Sequence, residues 1–259
     1  MKTRNIIIIL ALVSLLAACS NQSFTDDPAA KYQKYTAAEL YAKGNKAIST
    51  RNYYNAKNYL EALESLYPFG PYAEKGQIDL IYAYYQSGEY ASASATAAQY
   101  IHVYPRSARA DYAYYMKGLA DLYSGETWVQ RTFPIDMSLR DLTTEKQAFY
   151  DFRDLIELFP NSKYTPDARQ HMAFLRNMFA KHELKIANYY YKRHAYVAAS
   201  NRASYLIQHY QHSPQVEPAL VLLVKANRAL NLPGPANDAL RVLQKNFPHS
   251  PDIARLQRG

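Results

Sequence analysis

An aromatic residue recurs along this chain, in four of five places followed by proline: Tyr67-Pro68, Tyr104-Pro105, Phe159-Pro160, Tyr210-Gln211 and Phe247-Pro248. Eleven residues before each aromatic stands an alanine: Ala56, Ala93, Ala148, Ala199 and Ala236. The aromatics lie 37, 55, 51 and 37 residues apart, so a 37-residue unit carries an insertion of 18 in the third copy and of 14 in the fourth. A period of this size marks a chain built from one supersecondary unit stacked on copies of itself. The unit reads as two helices joined by a turn. The small alanine lets the second helix approach the first, the aromatic fills the gap to the next copy, and proline ends the helix.

Copy one carries the clearest signals. Thr36-x-x-Glu39 is a capping box that starts a first helix, with Leu40, Gly44 and Ala47 following at helical spacing. Arg51-Asn52-Tyr53 makes the turn, and a second helix is predicted from about Asn55 to Leu66. Copy two repeats this with Ile81, Tyr84 and Tyr85 on one face and Ser87-Gly88-Glu89-Tyr90 as its turn. The pattern resembles the tetratricopeptide repeat (TPR), whose conserved Gly, Tyr, Ala and Pro are matched by Gly44, Tyr53, Ala56 and Pro68. The expected fold is all-α, a right-handed superhelix of about five such hairpins. Sustained heptads, which a coiled coil would need, are absent.

The two insertions differ. Fourteen extra residues are close to four helical turns, so one long helix from Pro166 to about Arg193 keeps its face in phase, with Thr165 expected as N-cap. The extra residues of copy three, about Ser124 to Asp141, include Gly125, Trp128, Arg131, Pro134, Asp136 and Arg140, and follow no helical period. They read as a long loop between two helices, and a loop of that length in a compact repeat is seldom idle.

The first residues have another purpose. Lys2 and Arg4 precede an apolar stretch from Ile6 to Leu16, of signal-peptide length and short for a membrane span. It ends in Leu16-Ala17-Ala18-Cys19-Ser20, which resembles the lipobox of bacterial lipoproteins. Cys19 is the only cysteine, so no intramolecular disulfide can form and lipidation accounts for it. The resemblance implies S-diacylglycerol and N-palmitoyl groups on Cys19. With Ser20 rather than Asp next, it also implies the outer membrane of a Gram-negative cell, the chain facing the periplasm. Residues 1–18 are then signal peptide and 19–35 a lipidated tether.

Without Lys2 and Arg4 the charge is 28 basic against 22 acidic residues, or +6, and the basic residues are scattered. Nucleic-acid binding would cluster them, so none is expected. The chain has 8 Gly and neither phosphate-binding glycine fingerprint. His182-Glu183 is not followed by the second histidine of a zinc helix, and the sole thiol is at the anchor. No enzyme, metal or cofactor other than the covalent lipid is expected.

The chain does hold 26 Tyr, about one residue in ten. In stacked helical hairpins the first helices line a groove. Counted from copy one, Tyr41, Tyr82, Tyr85 and Tyr115 fall on its exposed positions, with Tyr112 and Tyr123 beside them. Rings with a polar tip bury area at small entropy cost and suit extended or aromatic-bearing peptides. The same rings could instead pack between repeats.

Four stretches are more specific than any generic repeat: Tyr67-Pro-Phe-Gly-Pro-Tyr72 running on to Tyr85, Tyr115-Met-Lys-Gly-Leu119, Phe159-Pro-Asn-Ser-Lys-Tyr164 and Tyr196-Val-Ala-Ala-Ser-Asn-Arg202. Over essentially the whole mature chain these resemble the BamD (ComL, YfiO) family, lipoproteins of the machinery that folds and inserts outer-membrane β-barrels. The resemblance implies that repeats 1–3 (residues 36–160) receive the C-terminal targeting strand of unfolded barrel proteins, with Tyr67, Phe69 and Tyr72 joining the groove tyrosines. It implies that repeats 4–5 (residues 161–259) hold a POTRA domain of the barrel subunit BamA through Arg202, and that BamC and other lipoproteins of the complex are partners. Met137 and Leu139 depart from the family's charged pattern in the third-copy loop. Two other readings fit the repeats less well: a periplasmic scaffold for cell-wall enzymes, and a DNA-uptake component.

Overall fold

The computed structural model describes residues 30–125 and 141–258. Cys19, the signal segment and most of the third-copy loop, including Trp128, Arg131, Pro134, Asp136, Met137, Leu139 and Arg140, lie outside the described residues. Among the described residues the structure is all-helical. Successive helices are α1 (Ala37–Ser49), α2 (Tyr53–Leu66), α3 (Ala73–Gln86), α4 (Tyr90–Val103), α5 (Ala110–Ser124), α6 (Thr143–Leu158), α7 (Thr165–Lys192), α8 (Tyr196–His209), α9 (Val216–Ala229), α10 (Pro233–Asn246) and a short α11 (Asp252–Arg258). The chain divides into two compact units, residues 1–83 and 84–259.

The recurring residues do the same job in each copy. All five alanines are buried. Each recurring aromatic ends its helix in one conformation, φ from −122° to −136° and ψ from 44° to 63°, its N–H bonded to the carbonyl four residues back at 2.8–2.9 Å. Proline next to it favours that extended φ. Tyr210, which precedes Gln211, adopts the same geometry without proline's help. The turns inside the hairpins also repeat. Arg51, Gly88, His194 and Asn231 all have φ between 58° and 79°. Each follows a helix whose last carbonyls accept paired bonds, such as Asn52 N to Ala47 O and Arg51 N to Ile48 O, both at 2.9 Å. This Schellman arrangement needs a left-handed residue, a conformation that glycine takes freely and arginine or histidine only at some cost.

In the first unit, the Thr36–Glu39 capping box forms: Glu39 N donates to Thr36 Oγ1 at 3.3 Å and Thr36 N donates to Glu39 Oε2 at 2.8 Å. Leu40, Leu60, Leu63, Leu80 and Ile81 make the core. Gly44 and Gly76 leave space that a Cβ would lose, at 2.8 Å from Leu60 and 2.5 Å from Leu63. Helix α2 starts at Tyr53, two residues before the expected Asn55, because the Asn52 side chain caps it by accepting from Asn55 N at 3.1 Å. The end of the expected tether is also ordered. Residues Ala30–Tyr32 form a 3₁₀ turn, Tyr32 packs edge-on against Tyr59 at 5.4 Å, and Tyr67 donates its hydroxyl to Tyr35 O at 2.9 Å.

The second unit packs α5 against α4 and α6, α8 against α7 and α9, and α9 against α10. Its C-terminal core gathers Leu206, Leu220, Val224, Leu243 and Leu256. The long helix α7 spans 28 residues as the insertion length requires, but Thr165 is not its cap. Tyr164 holds the N-cap position, while buried Thr165 lies in the first turn and donates its hydroxyl to Phe159 O at 2.8 Å. The bond ties α7 to the end of α6, a use that a capping rule does not anticipate.

Candidate functional site

The candidate aromatics of the first unit sit on α1, α3 and the turn before α3. Tyr41 and Tyr72 rings meet at 5.4 Å, and Tyr82 meets Tyr53 edge-on at 6.0 Å. A hydroxyl contact with Tyr53 raises the Tyr82 pKa above its ordinary value. Tyr67 is turned toward Tyr35. Phe69 is different: it is 89% exposed. Pro68 and Pro71 bracket it, and Gly70 takes φ +106°, a region open to glycine alone. The turn thus presents a phenyl ring to solvent, and none of the described residues folds over it.

Tyr85, Tyr112 and Tyr115 belong to the second unit. Tyr85, Tyr90 and Tyr123 form a triangle with centroids 5.4 to 6.2 Å apart. Tyr115 stacks on Tyr164 at 4.8 Å and 15°, and Tyr112 meets Tyr164 at 5.5 Å. The Tyr115 hydroxyl donates to Asp167 Oδ2 at 2.7 Å, and His171 reaches the same oxygen at 3.1 Å. Burial raises the Tyr115 and Tyr85 pKa values, and for Tyr115 the Asp167 carboxylate adds to the effect. Both phenols stay neutral donors at physiological pH. These rings are half-buried, held in place by one another, and each keeps a wet edge. Rigid rings with polar tips lose little freedom on binding.

Several residues in these networks lie outside the groove positions that the repeat phase points to. Tyr164, Asp167 and His171 come from α7 and its cap, about fifty residues after Tyr115. Ser162, three after the recurring aromatic, donates its hydroxyl to Asp111 Oδ2 at 2.6 Å. Ser107, Ser213 and Ser250 occupy the matching place, each donating its N–H to the aromatic's carbonyl at 2.8–3.0 Å. That regular serine is visible in the sequence once the copies are aligned.

The Tyr115–Leu119 stretch continues into a charged cluster. Lys117 Nζ lies 2.8 Å from Asp151 and 3.1 Å from Asp121. Burial, with Asp121 close by, pushes the Asp151 pKa up to about 6 despite the ammonium. A raised carboxyl often marks catalysis. Here its causes are burial and packing between α5 and α6. Asp151 binds its proton more tightly folded than unfolded, so its contribution to stability is full below 3.8 and is lost as pH rises through about 6. A carbon-13 NMR titration is expected to place its midpoint near 6, and Lys117→Met to move it higher. An ordinary midpoint near 4 would contradict the burial argument.

Arg202 projects from α8, its side chain 44% exposed, and its Nη1 meets Glu183 Oε2 on α7 at 3.0 Å. Glu183, 13% exposed, is the sequestered partner. The pair holds the guanidinium at the surface with donors to spare. Among the described residues no helix is long and apolar enough to cross a membrane, and no group of three His, Cys, Asp or Glu is placed to hold a metal.

Comparison with known proteins supplies the family. Residues 33–243 match the family model YfiO, described as an outer membrane lipoprotein. The outer membrane protein assembly factor BamD of Neisseria meningitidis serogroup B is 35% identical over 99% of this chain and 96% of its own length. That of Haemophilus influenzae is 33% identical over 92% of this chain and 88% of its own, and that of Vibrio cholerae 33% over 92% and 96%. A tandem of helical hairpins matched across nearly its full length in this way belongs to the YfiO family of outer membrane lipoproteins, the family of the outer membrane protein assembly factor BamD.

Proposed function

We propose that this chain is a non-enzymatic receptor and scaffold in outer-membrane β-barrel assembly. Lipid on Cys19 anchors it to the outer membrane from the periplasmic side. The aromatics of the first unit, Tyr41, Tyr67, Phe69, Tyr72 and Tyr82, take up the C-terminal strand of an unfolded barrel protein. Arg202 on α8 engages a POTRA domain of BamA, and BamC is a further partner. The observation that carries the peptide role is Phe69, a phenyl ring left in water by a turn built from two prolines and a left-handed glycine. A ring held out in this way is available as an aromatic anchor, the residue type that carries much of the binding energy once a partner covers it. An extended strand with alternating aromatics supplies rings that can do so.

The test is a binding titration with a synthetic C-terminal strand of a barrel protein. Phe69→Ser is expected to weaken binding roughly tenfold or more, as truncation of an aromatic anchor does. Its helical signal and melting temperature stay unchanged, because the ring contributes nothing to the core. Equal affinity for the strand would remove Phe69 from the receptor surface.

A further inference from the structure

A cavity of about 360 Å³ lies among α6, α7 and α8 of the second unit. Its walls are of two kinds. Phe149, Phe179, Tyr205 and Tyr210 offer rings, with Phe149 edge-on to Phe179 at 6.0 Å and Tyr205 meeting Tyr210 at 6.2 Å. Lys146, Arg176 and His209 offer cations or N–H donors, and among the described residues no acidic side chain lines it. The acidic group felt at Tyr210, Glu183, is already paired with Arg202.

One of the lining residues carries a buried polar atom that is out of balance. Arg176 Nε is buried and has no hydrogen-bond acceptor. A guanidinium N–H without an acceptor is costly, and native structures leave few such groups unexplained. An arriving carboxylate would meet the guanidinium of Arg176 where it lines the cavity with a charge-assisted bond, and Lys146 would add a second. The rings beside it would cover an apolar, flat group of a size the cavity admits.

We propose that this cavity binds an aromatic carboxylate, the anionic oxygens meeting Arg176 and Lys146 and the aromatic ring lying among Phe149, Tyr205 and Tyr210. The chemistry has two sources, a small free aromatic acid or the terminal residue of a polypeptide. The proposal stands on the cavity's own residues and holds whatever the Phe69 surface binds.

The test uses the full-length protein in dodecyl maltoside micelles, with calorimetric titration against empty micelles. The probes are N-acetylphenylalanine, its amide, and a ten-residue peptide ending in phenylalanine with a free or an amidated terminus. Saturable binding of the acids, at least tenfold tighter than of the matching amides, is expected. Arg176→Gln is expected to reduce acid binding tenfold or more and to leave the weak amide binding alone. If that variant loses helical signal, the exposed Lys146→Gln carries the comparison, with a several-fold loss. Binding of the peptide acid assigns a polypeptide terminus, and binding of N-acetylphenylalanine alone assigns a small acid. Equal affinity for acid and amide, no saturable binding by any probe, or undiminished acid binding by a folded charge-removed variant overturns the proposal.

Discussion

Phe152→Ala is expected to destabilise the second unit by about 3–5 kcal/mol, the range for emptying a fully buried phenylalanine site. The ring is wholly buried on α6, stacked on His171 at 5.1 Å and 9°, with Tyr115 at 6.4 Å. Gly118 of α5 also lies against this ring. A Cβ at that glycine would stand 2.7 Å from Phe152 Cε1 and 2.8 Å from Cδ1, closer than carbon atoms approach. Gly118→Ala alone is therefore expected to cost about 1–3 kcal/mol, the range for overpacking. With Phe152 already replaced by alanine, the obstruction is gone. Alanine is then the better helix former by about 0.5–1 kcal/mol, and the same change becomes stabilising. Urea unfolding of the four proteins, followed by helical circular dichroism, reads this reversal of sign. A Gly118→Ala cost that is equal in both backgrounds would show that the close approach of α5 and α6 is not what glycine serves.

Arg202→Glu is expected to weaken association with the POTRA domains of BamA at least tenfold while leaving the helical signal intact. Glu183 is the more buried member of the pair, so the guanidinium is the group offered outward. Reversing the charge removes the donors a partner carboxylate would use and sets like charges side by side. The loss in folding stability is about 1–3 kcal/mol, since Glu183, only 13% exposed, is left without its cation. Arg202→Lys separates charge from geometry. A lysine keeps the charge without the planar fork, so an intermediate affinity is expected. Wild-type affinity in Arg202→Glu would remove the residue from the interface.

Periodic local features were legible in the sequence because each copy repeats them. The five alanines are buried and the five aromatics cap their helices in one conformation, so the repeat reports packing directly. The Thr36–Glu39 box was legible because both partners lie within one turn. Features that depend on distant partners were not. Tyr115 stands out by its place in the repeat, but its bond to Asp167 spans 52 residues and no spacing rule reaches that far. Glu183, 19 residues before Arg202, is hidden for the same reason. The capping rule failed at Thr165 because its hydroxyl found a carbonyl at the end of α6 instead of the first amides of α7. Arg51 and His194 in left-handed turns are likewise invisible to propensity, since the turn geometry overrides what those residues prefer alone.

Gentle detergent extraction of the tagged full-length protein from its own outer membrane, with identification of every chain that remains bound, tests the central claim most directly. Scaffolding of barrel assembly predicts recovery of a large β-barrel protein that carries POTRA domains, together with smaller lipoproteins. Recovery of cell-wall enzymes with no such barrel protein would contradict it and leave only the helical-repeat fold standing.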